Sequence, residues 1–164
     1  IRIDGCRNPS VVTIEVGGGG KEATEEAIRG IYDSLRATSL AIKDDLVLPG
    51  GGSAHSRVSH HVRSQMESEP GRERIAMEAF ARAMETIPAV LAENAGQTPL
   101  DKVLELRAEA RKENQAMGVD KKGEVSPIDD VWHSLSVISE SLETSTETAI
   151  SMLRIDQVVS SRGD

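Results

Sequence analysis

Three consecutive glycines, Gly50-Gly51-Gly52, stand directly before Ser53 and a stretch of helical periodicity, and a carboxylate, Asp33, lies in the helical pattern upstream. Glycines let a backbone approach a ligand closely, and a helix opening at Ser53 aims its unpaired N–H groups at whatever lies there. That combination is suited to a nucleotide. A plainer reading stands beside it: a glycine triplet also serves as a hinge or linker, and an acid on a helix is ordinarily solvated. Other chemistries drop out, because the chain carries no Cys-x-x-Cys, no Gly-x-Ser-x-Gly and no Gly-Lys-Ser/Thr phosphate loop. A helical pair of metal ligands needs i,i+4 spacing, whereas His55 and His60 are five apart. His55, His60, His61 and His133 therefore read as solvated side chains, and no metal site is expected within the chain.

The elements that must position these residues follow from composition. Tyr32, Phe80 and Trp132 are the only aromatics among 164 residues, so the core must be built from Leu, Ile, Val, Met and Ala. That suits packed helices better than a sandwich of strands, and the fold class is read as mainly α, with Trp132 as a core or interface anchor. A net charge of −8 leaves no basic field for a phosphate backbone, which excludes nucleic acid as a partner. No apolar run approaches the roughly 18 residues of a membrane span, and no signal peptide opens the chain, so no membrane partner is expected. A single cysteine, Cys6, excludes an internal disulfide and fits a reducing, cytoplasmic compartment. The chain begins at Ile1 rather than at a methionine and reads as a piece of a longer protein.

Along the chain, β-branched residues predict one short strand over Ser10–Val16, bounded by Asn8-Pro9 and Gly17–Gly20. Apolar spacing and acids in the first turn predict a helix over about Lys21–Lys43. A helix capped by Ser53 should run until Glu67–Gly71 breaks it, followed by one from Arg72 with a broad apolar stripe through Ile75, Ala76, Ala79, Phe80, Ala83, Met84 and Ile87. Pro88 should interrupt or restart that helix before Gly96 ends it as the C′ residue. Thr98-Pro99-Leu100-Asp101 predicts a helix start, with an end near Gln115. Gly118–Asp130 reads as irregular, Leu135–Leu153 as a long helix, and Arg154–Val159 as its continuation or a terminal strand.

Several runs occur in an order that resembles the group II chaperonins, the archaeal thermosome and its eukaryotic cytosolic relatives. These are Gly5-Cys6-Arg7-Asn8-Pro9, Thr13-Ile14, Arg29 with Asp33 and Leu35, Gly50-Gly51-Gly52-Ser53, Ile87-Pro88, Leu91-Ala92-Glu93-Asn94-Ala95-Gly96, Gly118-Val119-Asp120 and Leu153-Arg154-Ile155-Asp156. The resemblance implies a subunit that assists protein folding through ATP binding and hydrolysis in a double ring with other chaperonin subunits. It assigns residues 1–45 to the returning part of an intermediate domain and 46–164 to the C-terminal part of an equatorial, helical ATP-binding domain. The apical domain that holds unfolded clients, and the N-terminal equatorial loop that holds the phosphates and Mg²⁺, have no counterpart here. The parent would thus be an ATPase while this chain alone would be inactive.

Carried over residue by residue, the resemblance makes Asp33 the carboxylate that positions the water attacking the γ-phosphate. It sets Gly50, Gly51 and Gly52 against the nucleoside of ATP or ADP, with Asp120 and Lys121 near the base. His133 stands where many relatives carry an acid that bonds the ribose, and Ser134 where proline is common. These departures, with Gly17–Gly20 in place of a stretch that usually carries an arginine, keep a second expectation open: a non-catalytic, chaperonin-derived element acting as a structural or regulatory part of an oligomer.

Overall fold

The computed structural model describes residues 12–112 and 115–156. The chain divides into two compact units, Ile1–Ser39 and Leu40–Asp164, with the division falling inside the first helix. The fold class is mainly α: the described residues form five helices and four three-residue strands.

In the first unit the expected strand does not form. Val12–Val16 are without regular structure and all but Val16 are exposed, and Ser10 and Val11 lie outside the described residues. A strand exists only by hydrogen-bonding to a neighbour, and the first unit supplies none among its described residues. Helix α1 (Lys21–Asp44) follows the glycine run and buries none of its residues. The Thr24 hydroxyl donates to the Gly20 carbonyl at 2.9 Å in its first turn. Exposed i,i+4 and i,i+3 pairs, Lys21 with Glu25 and Arg29 with Glu26, add little stability.

The second unit is built on three packed helices, α2 (Ser53–Gln65), α3 (Glu73–Asn94) and α4 (Pro99–Ala110). α3 runs through Pro88 without a break, contrary to expectation. A helix-interior proline forfeits one backbone bond, but here Pro88 is fully buried and lies where a Cβ on Gly52 would strike it. The ends of α3 and α4 follow the local signals. Gly96 has φ +78°, and the Gln97 amide returns to the Ala92 carbonyl at 2.9 Å, so the helix closes on a left-handed glycine as expected. Thr98 is the N-cap of α4 with Pro99 in its first turn, while the helix ends at Ala110 instead of near Gln115.

The buried face of α3 shares Met84 with the predicted stripe and otherwise differs from it. It comprises Ala81, Met84, Glu85, Pro88 and Ala92, while Ile75 and Ile87 are 73 % and 46 % exposed. Glu85 on this face is paired with two arginines described below. The apolar centre of the unit is small, Ala92, Leu106 and Val119 with Met117 and Val125 against them.

Gly118–Asp130, expected to be irregular, contains a hairpin of β2 (Met117–Val119) and β3 (Val125–Pro127), in register Met117 to Pro127. A second antiparallel pair joins β1 (Val47–Pro49) to β4 (Trp132–Ser134), with Leu48 opposite His133. Trp132 is half exposed in this ribbon, with its indole N–H on the Asp129 carbonyl, so it is not a core residue. Helix α5 (Leu135–Leu153) comes directly after β4, and Ile138 is its one buried residue. Arg154 is a turn, and residues 157–159 lie outside the described part.

Candidate functional site

The glycine triplet is a fixed loop between β1 and α2, which removes the linker reading. The Gly50 amide donates to the Val131 carbonyl at 2.8 Å, and the Val119 amide donates to the Gly51 carbonyl at 2.8 Å. The loop is thus held on one flank by the end of β2 and on the other by the residue before β4. Gly51 and Gly52 have φ of +63° and +72°, the left-handed region where a side chain is strained. A Cβ on Gly51 would lie 2.7 Å from the Val119 carbonyl oxygen, and one on Gly52 2.9 Å from Pro88. Packing against protein therefore requires these glycines, independently of any ligand. Ser53 is not the cap that was expected: Gly52 occupies that position, and the buried Ser53 hydroxyl turns back to the Pro49 carbonyl at 2.9 Å.

Asp120 follows β2 directly and organises the hairpin turn. Its Oδ1 accepts the amides of Lys122 and Glu124 at 2.8 and 2.9 Å, and its Oδ2 accepts the Ser126 hydroxyl at 3.3 Å. Those bonds, the Glu124 amide foremost, hold its carboxyl below the usual aspartate range. Lys121 is mostly exposed and paired with Asp130 at 2.5 Å, which raises its ammonium pKa. His133 is exposed on β4. His55, half-buried at the start of α2, has its pKa lowered first by burial and then by the electrostatic influence of His133. Sequence spacing missed this pair because it looks along one helix, whereas the partner comes from β4.

Gly50–Gly52, Asp120, Lys121 and His133 therefore share one neighbourhood of the second unit. Asp33 is exposed on α1 in the first unit. Among the described residues no cluster of three His, Cys, Asp or Glu side chains could hold a metal ion.

A second polar cluster, not anticipated from sequence, ties the three helices together. Glu85 of α3 accepts Arg107 of α4 through Nε and Nη2 at 2.7 and 2.6 Å, Arg63 of α2 in a second fork, and the Ser59 hydroxyl at 3.0 Å. Arg63 also holds Glu78 at 3.0 Å, and both carboxylates raise its pKa, with Glu85 the larger influence. Burial pushes the Glu85 carboxyl up, but the bonds from Arg107, Arg63 and Ser59 outweigh it and bring the pKa down to about 2. A cavity of about 210 Å³ adjoins this cluster, lined among others by Ser56, His60, Arg63 and Arg111. None of Asp33, Gly50, Gly51, Gly52, Asp120, Lys121 and His133 lines it.

A model of the TCP-1/cpn60 chaperonin family matches residues 1–162. The chain belongs to that family. It is 41 % identical to thermosome subunit beta of Archaeoglobus fulgidus, covering 98 % of this chain and 30 % of the relative. It is 37 % identical to thermosome subunit 1 of Haloferax volcanii, covering 97 % of this chain and 29 % of that one. Among solved structures it resembles the open-state monomer of a group II chaperonin from Methanococcoides burtonii, with a TM-score of 0.70, 33 % identity, and coverage of 84 % of this chain and 35 % of that one. The chain thus spans about 30 % of the length of the curated chaperonin relatives it matches, and its helical architecture is of the chaperonin equatorial kind. Among the described residues no helix is long and apolar enough to cross a membrane.

Proposed function

We propose that the chain is the part of a chaperonin subunit that supplies the nucleoside side of an ATP site together with a mobile carboxylate, Asp33, and that its parent assists protein folding by ATP binding and hydrolysis in a double ring. The observation that carries this reading is the glycine loop pinned between Val119 and Val131. A loop tied on both flanks presents the same backbone surface every time, as preorganised binding requires. What surrounds it suits the less charged end of a nucleotide: backbone groups, the half-exposed indole of Trp132 and the imidazole of His133. The nominated cation, Lys121, is already paired with Asp130. The groups that hold the phosphates and Mg²⁺ are accordingly assigned to parts of the subunit outside this chain. Mg²⁺ there would neutralise phosphate charge.

Phosphoryl transfer depends mainly on positioning and charge neutralisation, so one carboxylate orienting a water can set the rate. That is the role given to Asp33. Thermosome subunits among the relatives support neighbouring subunits in a ring as partners, with unfolded clients held by an apical domain. In the complete subunit, Asp33→Ala is expected to retain nucleotide binding and lose most ATP hydrolysis, measured by phosphate release. Turnover close to wild type would reject the role of Asp33.

A second reading, a non-catalytic structural or regulatory element, is favoured by His133 standing where the resemblance expects an acid. The parent reading frame separates the two. An upstream Gly-Asp-Gly-Thr-Thr-like loop and an apical segment support the ATPase; a start codon just before Ile1 supports the remnant.

A further inference from the structure

Asp44 is the last residue of α1, and its Oδ2 accepts the backbone N–H of Ser136 in the first turn of α5 at 2.9 Å. The bond joins residues 92 positions apart. Helix α5 lacks a cap of its own: its N-cap, Ser134, makes no capping side-chain bond. The carboxylate from α1 performs that task, satisfying one of the orphan N–H groups and placing negative charge at the positive end of the α5 dipole. Ser136 foremost, and then Ser134, hold its carboxyl below the usual range.

The next residue is equally specific. Asp45 has φ +51° and is the one non-glycine residue with positive φ among the described residues. It is the turn residue between α1 and β1, which leads to the glycine loop. Beside it, the Leu135 amide donates to the Leu46 carbonyl at 3.3 Å. Backbone pairing and one carboxylate therefore meet where α1 ends, β1 begins and α5 starts. Releasing the carboxylate leaves the pairing of β1 with β4 intact.

We propose that Asp44 is a latch: its carboxylate clamps the last turn of α1 to the N-terminus of α5, and reorientation of α1 about the Asp45 turn requires uncapping α5. This deepens the function proposed above and rests on it for one consequence only, that a helix carrying Asp33 must be held and released in register with the glycine loop. Asp44 is a positioning residue in this scheme, since it touches neither nucleotide nor water.

The test uses the complete subunit with Asp44→Ala and Asp44→Asn, read by hydrogen exchange at the Ser136 amide and by ATP turnover and nucleotide affinity. Loss of a cap predicts exchange at Ser136 about five- to thirtyfold faster in Asp44→Ala. The amide oxygen of Asn still caps, so Asp44→Asn should keep most of the protection. The latch further predicts that Asp44→Ala changes ATP turnover by severalfold at unchanged nucleotide affinity, with Asp44→Asn restoring it. Unchanged exchange at Ser136 in Asp44→Ala would overturn the latch, and so would faster exchange with wild-type turnover. A wild-type subunit that hydrolyses no ATP would remove the proposed function instead, while the exchange result still decides whether Asp44 caps α5.

Discussion

Replacing Glu85 by glutamine tests how the three-helix unit is held. The substitution conserves shape, but it leaves Arg63 and Arg107 facing each other without the charge that both enclose. Glu85 has a side chain only 9 % exposed, so water cannot substitute for it. Its pKa of about 2 against an ordinary 4.5 means the folded state favours the ionised form by about 3 kcal/mol, at 1.4 kcal/mol per pK unit. Removing one partner of a buried ion pair costs about 3–5 kcal/mol by a separate route. The two figures agree, and Glu85→Gln should lose about 3 kcal/mol in urea denaturation at neutral pH followed by circular dichroism. The acid limb provides a second measurement. A depressed carboxylate pKa gives stability that is complete above the unfolded value of 4.5 and declines as pH falls toward 2. Wild type should therefore lose stability across that window, and Glu85→Gln should show a flatter slope there. Glu78→Gln is the control: its side chain is 31 % exposed and pairs with Arg63 and Arg82, so it should cost less than about 1 kcal/mol. A Glu85→Gln protein within about 1 kcal/mol of wild type, or one with the same acid slope, would refute the role given to this carboxylate.

Gly51→Ala should destabilise the second unit by about 2 kcal/mol or more, because it adds left-handed strain to a Cβ only 2.7 Å from the Val119 carbonyl oxygen. A thermal midpoint equal to wild type would show that the loop adjusts freely. Asp45→Gly should stabilise the chain by a few tenths of a kcal/mol to about 1 kcal/mol, since glycine adopts φ +51° without a Cβ penalty. A lower denaturation midpoint would mean that the Asp45 side chain supports the turn.

Helix periodicity and end signals were legible in the chain itself. Gly96 ending α3 and Thr98-Pro99 opening α4 are local events, set by residues within one turn of each other. The recurring chaperonin runs were legible as well, because they are strings of residue types whose order needs no coordinates. What the residues alone did not reveal depends on contacts across long separations. The ribbon of Val47–Pro49 with Trp132–Ser134 joins segments some 85 positions apart, and neither is long enough to show strand periodicity. Val12–Val16 has the stronger strand composition and forms none, because composition cannot supply a partner.

Residue types alone thus determined that the chain is helical, where several helices start and stop, and which family pattern it carries. Tertiary structure decided which faces those helices bury. Helical hydrogen bonds close over four residues and are written in local sequence. A buried carboxylate is tolerable only where partners from other elements converge on it. Glu85 sits in a predominantly apolar helix, where its partners cannot be read, and only the approach of Arg63 from α2 and Arg107 from α4 makes it an inward-facing residue. The same holds for Gly50–Gly52, whose need for glycine comes from Val131, Val119 and Pro88, three residues that only the fold brings to the loop.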